Sequence, residues 1–89
     1  MNYLKNMTIS EIAYAIKGDW SNVNFAAKPY LDAMTALDTA TDTYGCDSGA
    51  SIVRYFLGNA QTYSKRTSKG NLVPADVKKE LNARIKGKY

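Results

Sequence analysis

The chain has no histidine, so the usual general base and the commonest metal ligand are both missing. It has a single cysteine, Cys46, so an internal disulfide is excluded and a cytoplasmic setting is expected. Asp47 stands next to Cys46, and a neighbouring carboxylate disfavours the thiolate. No apolar run approaches the ~18 residues a membrane-spanning helix needs, so no membrane partner is expected. The opening residues lack the long apolar core of a signal peptide. There is no phosphate loop, no metal-ligand set and no nucleophile paired with a base. These absences predict a protein that is not an enzyme and carries no cofactor or metal.

What is present is an ordinary globular composition, 45% apolar and 22% charged, in 89 residues. That length makes one domain, able to bury roughly 60–65% of its unfolded surface. The net charge of +4 is unevenly spread. Residues 1–59 carry four Lys/Arg against six Asp/Glu, whereas residues 60–89 carry eight against two. The first part is mildly acidic and the last part is basic.

The longest strongly apolar stretch is 48–63, where Ile52, Val53, Phe56, Leu57 and Ala60 share a helical face. Asp47 or Ser48 can cap it, and Ser48, Gly49, Ala50 and Ser51 allow a close neighbour. Gly58, inside it, reads as another close-packing point. Thr8-Ile-Ser-Glu11 matches a capping box, and Ile9, Ile12, Ala13 and Ile16 follow at helical spacing. Gly18 suits a left-handed end to that helix. Trp20 is expected to pin the following loop to the domain. Pro29 is suited to a helix start, and Leu37, Thr41 and Tyr44 keep phase with Leu31 and Met34, so the second helix is expected to run on to Tyr44 and stop at Gly45, with a break near Asp38, where three threonines lower helix propensity, as the alternative. Pro74 opens a last helix with Val77, Leu81 and Ile85 in line, a correctly oriented Glu80–Arg84 i, i+4 pair worth a few tenths of a kcal/mol and an end at Gly87. The expected fold is an all-α single domain of about four helices packed around a central helix at 48–63. It would have an N-terminal arm at 1–7, a mobile basic loop at 64–73 and a basic C-terminal helix at 74–86.

Two surfaces are candidates for function. Asp38, Asp42 and Asp47 form an acidic ridge, with Asp38 and Asp42 one helical turn apart. Their spacing does not match the twelve-residue calcium loop, but the ridge could meet a basic groove on a partner protein. Trp20 and Tyr44 join it as candidate protein-binding residues. Seven tyrosines and one tryptophan are too many to bury completely in so small a core, so some should face outward, where aromatics favour interfaces. Lys65, Arg66, Lys69, Lys78, Lys79 and Lys86 are candidate nucleic-acid contacts, with a solvated face as the plain alternative. A helix-turn-helix over Thr8 onward fits poorly, because Pro29 would fall inside its recognition helix.

The run Ile12-Ala-Tyr-Ala-Ile16, Asp19-Trp20, Ala27 to Met34, Asp47-Ser-Gly, Ile52 to Leu57 and Asn59 to Thr62 resembles small proteins of bacteriophages and prophages. The resemblance covers about residues 9–63 and consists of apolar and turn positions, so no functional residue carries over. It implies work inside a bacterial host cell by binding a host protein, including inhibition of a defence protein as anti-CRISPR proteins do. The alternative class is a nucleic-acid-binding accessory protein. Self-association is a third.

Overall fold

In a computed structural model, which describes residues 3–45 and 47–86 apart from the side chains of Tyr3 and Tyr44, the capping box at Thr8 is formed. The Thr8 hydroxyl accepts from the Glu11 amide at 3.1 Å, and the Glu11 carboxylate accepts from the Thr8 amide at 2.7 Å. Helix α1, Ile9–Asp19, buries Ile9, Ile12, Ala13 and Ile16. Gly18 stays helical. Among the described residues only Gly45 and Gly70 have positive φ, so the left-handed end expected at Gly18 does not form. Helix α2, Lys28–Met34, opens with Pro29 and packs against α1. Lys17 reaches Asp32 at 2.6 Å across that junction, and its hydrogen bond holds the Asp32 carboxyl below its ordinary value. The eight residues from Trp20 to Ala27 separate α1 from α2, far more than the 3–4-residue turn of a helix-turn-helix.

The second helix does not continue to Tyr44. Carbonyls after Met34 are taken by two other helices. Leu37 and Asp38 accept from the Ser10 and Ile9 amides, at 2.6 and 3.1 Å, at the start of α1. Ala40 and Asp42 accept from the Ala50 and Gly49 amides, at 2.9 and 2.6 Å, at the start of helix α3, Gly49–Gly58. A helix start leaves four amides without an internal partner, and this one stretch serves two starts. Its threonines, poor helix formers, offer little resistance. Thr43–Tyr44 (β1) then pairs antiparallel with Asp47–Ser48 (β2) in a small hairpin. Gly45, at φ 63°, turns it in left-handed backbone that glycine adopts without strain. The domain is therefore mostly helical with one hairpin. Strands of two residues are too short to show alternation.

Helix α3 is shorter than the stretch 48–63. Ser48 is its cap, accepting from the Ser51 amide at 3.1 Å, and Ile52, Val53 and Phe56 are buried. The close approach falls at Gly49, where a Cβ would meet the Thr39 and Asp42 carbonyl oxygens at 3.0 Å. Gly58 has open space around its Cβ position instead. Helix α3 packs against α2 on one side and helix α4, Pro74–Ile85, on the other. In α4 the Glu80–Arg84 pair is not a surface feature, as Glu80 is only 2% exposed. Arg84 Nε donates to Glu80 at 2.8 Å, while Nη2 donates to the Leu4 and Met7 carbonyls at 3.0 and 2.8 Å. The pair thus clamps the 3-10 turn Tyr3–Asn6 onto α4. Cys46 and the helix end expected at Gly87 lie outside the described residues. Among those described, no helix is long and apolar enough to cross a membrane.

Candidate functional site

The acidic ridge is a turn and a hairpin, not a helix face. Asp42 Oδ2 accepts from the Asp38 and Thr39 amides at 2.8 and 3.0 Å. These bonds hold its carboxyl below the ordinary value. Asp42 is thus occupied in shaping the turn, while Asp38 and Asp47 are exposed. All three lie near the starts of α1 and α3, where negative charge complements the helix dipoles. No group of three or more metal-binding side chains occurs among the described residues. The Tyr44 side chain lies outside them.

Trp20 is a core residue. It is 2% exposed, stacks on Tyr63 at 5.0 Å between ring centroids and meets Phe56 edge-on at 6.2 Å. As a protein-binding contact it is therefore withdrawn, although the expectation that it pins its loop is met. Its neighbour Asp19 was not among the expected functional residues, yet it organises the segment from Tyr63 to Leu72. This fully buried carboxylate accepts from Tyr63 Oη at 2.8 Å and Ser68 Oγ at 2.6 Å on one oxygen. The other oxygen accepts from the Asn71 and Leu72 amides at 2.8 and 3.2 Å. Burial pushes the carboxyl up, but the bonds from Ser68, Tyr63, Asn71 and Leu72 together outweigh it and hold the value low. A signal was present in the sequence. Asp19 continues the apolar stripe of Ile12 and Ile16, and a carboxylate at a helix C-terminus opposes the dipole unless something holds it.

Asp19 thereby fixes the segment read as a mobile basic loop. Ser68 bridges to Trp20, the Ser21 amide donates to Thr67 at 2.8 Å, and Gly70, at φ 99°, makes the return turn. Between this segment and α4 lies a groove of about 730 Å³. Of the candidate nucleic-acid contacts it brings together only Lys65 and Lys78. Arg66, Lys69, Lys79 and Lys86 are exposed outside it. The Lys78 ammonium is partly buried, and that burial lowers its pKa.

Outward-facing aromatics are present as expected, Tyr14 and Tyr55 among the tyrosines, and Phe25 joins them from outside the tyrosine and tryptophan count. Phe25 is 94% exposed, and Tyr14 and Tyr55 are more than half exposed. Tyr30 of α2 lies against Tyr55 of α3, with ring centroids 5.5 Å apart. Phe25 sits in a turn that Asn24 fastens to the end of α3. The Asn24 amide group donates to the Asn59 carbonyl at 2.8 Å and to Thr62 Oγ1 at 3.0 Å, and its oxygen accepts from the Ala27 amide at 2.7 Å. Asn59 in turn donates to the Tyr55 carbonyl at 2.9 Å. One network thus carries Phe25 and Tyr55, and Tyr30 joins through its ring contact. Comparison of the chain with protein-family models, with curated proteins and with solved structures finds no match.

Proposed function

We propose that this chain is a non-enzymatic protein-binding module of phage or mobile-element type, acting on a host protein in the cytoplasm of a bacterial cell. Its sharpest form is an inhibitor of a host defence protein, comparable to an anti-CRISPR. The scaffold is read as a helical domain centred on α3, which touches both α2 and α4. The observation that carries this reading is Phe25. An exposed phenylalanine forgoes roughly 1.5–3 kcal/mol of burial, and this one is held outward by a turn tied down at Asn24. Its turn is tied through Asn24 and Asn59 to the helix that carries exposed Tyr55, and such an outward aromatic has the character of an interface anchor.

The test is a pull-down from bacterial lysate with the wild-type chain and with Phe25→Ala/Tyr55→Ala. A stoichiometric protein partner is expected with the first and not the second, at equal melting temperature. Recovery of no such partner by wild type overturns the reading, and an equal partner on both chains moves the interface elsewhere. Self-association would show as a dimer mass in solution without added partner.

A second reading, nucleic-acid binding, is favoured by charge. Residues 60–86 hold seven Lys/Arg against Asp76 and Glu80, with Lys65 and Lys78 on one groove. It requires binding that weakens steeply with salt and is abolished by changing Lys78, Lys79 and Lys86 to glutamate.

A further inference from the structure

We infer that the groove between the 64–72 segment and α4 is a docking site for an acidic peptide segment, one that carries carboxylates beside aliphatic side chains. It goes beyond the aromatic surface and shares with it only the class of partner. Much of the groove's lining is apolar, supplied by Leu72, Val73, Pro74 and Ala75. Lys65 and Lys78 are its charged lining residues, and no carboxylate side chain lines it among the described residues. Neither lysine has an ion pair among the described residues. Lys78 has therefore lost part of its water without gaining a counter-ion, and a carboxylate delivered there would relieve that cost.

The lining distinguishes this partner from a nucleic acid. The aromatic residue of the groove, Tyr63, is fully buried and stacked on Trp20, so it offers no free face to a base. Arginine, the main reader of bases, is absent from the lining among the described residues. Val73 is 58% exposed and ready for an aliphatic contact.

The test selects random displayed dodecapeptides on the immobilised full-length chain. Enrichment of Asp or Glu next to Leu, Ile or Val is expected. Binding of a selected peptide can be followed through Trp20, the one tryptophan, because Tyr63 joins it to the groove. Affinity should fall at least about tenfold in Lys65→Glu/Lys78→Glu, since attraction becomes repulsion. Val73→Asp should do the same without loss of fold. Val73 is the N-cap of α4 and makes no side-chain cap bond, whereas aspartate is a favoured N-cap. Phe25→Ala/Tyr55→Ala should bind the peptide like wild type. Peptides without acidic residues, no enrichment at all, or equal binding by the lysine and Val73 variants each overturn the site. So does oligo-dT binding that depends on Lys65 and Lys78 without acidic peptides being selected. Peptide binding lost only in Phe25→Ala/Tyr55→Ala would overturn the groove and leave the protein-binding reading intact.

Discussion

Residues 35–48 and 59–73 both join α3 to a neighbouring helix, and they are secured in opposite ways. The first connection uses its own backbone. Its carbonyls at 37, 38, 40 and 42 close the starts of α1 and α3, and its side chains bond close by in sequence, Asp42 to the amides three and four residues before it and Ser48 to the amide three residues after it. The second connection is fastened from outside. Asp19, more than forty residues earlier in the chain, gathers Tyr63, Ser68, Asn71 and Leu72. The first thus spreads its order over several backbone bonds to two helix starts and over exposed side-chain bonds that water can replace, with one tight backbone contact at Gly49. The second concentrates its order in a single buried ion. An unmade bond to a buried charge costs far more than an exposed one, so the two should fail under different perturbations.

The largest effect should come from the core beneath both. Phe56 is fully buried and meets Trp20 edge-on, so Phe56→Ala should cost roughly 3–5 kcal/mol in chemical denaturation. A loss under about 1 kcal/mol would show that Phe56 is not a core residue. Next comes Asp19→Ala, which strands four donors and should cost about 3 kcal/mol, releasing 64–72 to proteolysis or hydrogen exchange while 35–48 stays protected. Equal exposure of both segments would mean that they are not separately secured. The same carboxylate sets a pH dependence. Its folded pKa lies below the ordinary 3.8, so between the two values the unfolded chain binds more protons. The stabilisation is complete above the ordinary value and is lost as pH falls through the lower, folded one. Asp19→Asn should flatten that acid limb of a melting-temperature profile.

The contrast also explains what could be read from the chain. Thr8–Glu11, Ser48 and Pro74 act on amides within a turn of themselves, and each is where its motif put it. The end of α2 was not readable, because Leu37 to Tyr44 keeps helical phase and the competing donors, the amides at the starts of α1 and α3, lie outside the stretch. Asp19 was hidden for the same reason: a lone aspartate after a glycine looks like a loop residue until the apolar stripe is extended to it. For the candidate site, counting aromatics showed that some must face outward, but only packing separates buried Trp20 and Tyr63 from exposed Phe25 and Tyr55. Likewise the basic segment was evident from charge, while the pairing of Lys65 with Lys78 depends on how Asp19 folds the loop back.

Two smaller substitutions sharpen the comparison on the 35–48 side. Gly49→Ala sets two physical effects against each other. Alanine gains about 1 kcal/mol of helix propensity over glycine, but its Cβ would press on the Thr39, Ala40 and Asp42 carbonyl oxygens at 3.0–3.1 Å. These are backbone atoms already committed, Ala40 and Asp42 to capping α3 and Thr39 to the Asp42 amide, so they cannot swing aside as a side chain could. A net loss of about 1–2 kcal/mol is expected, as for an overpacked contact. A gain in stability would show that the stretch yields and that its caps are soft.

Asp42→Ala should have the smallest effect. It removes the acceptor of the Asp38 and Thr39 amides, but both sites are open to water, which can take its place. The melting temperature should fall less than for Gly49→Ala. The acid limb lost in Asp19→Asn should be largely kept, even though the Asp42 carboxyl is also held below its ordinary value. If Asp42→Ala instead removed that limb and Asp19→Asn did not, the pH dependence would belong to the exposed turn, and the contrast between a locally bonded connection and one held by a buried ion would be reversed.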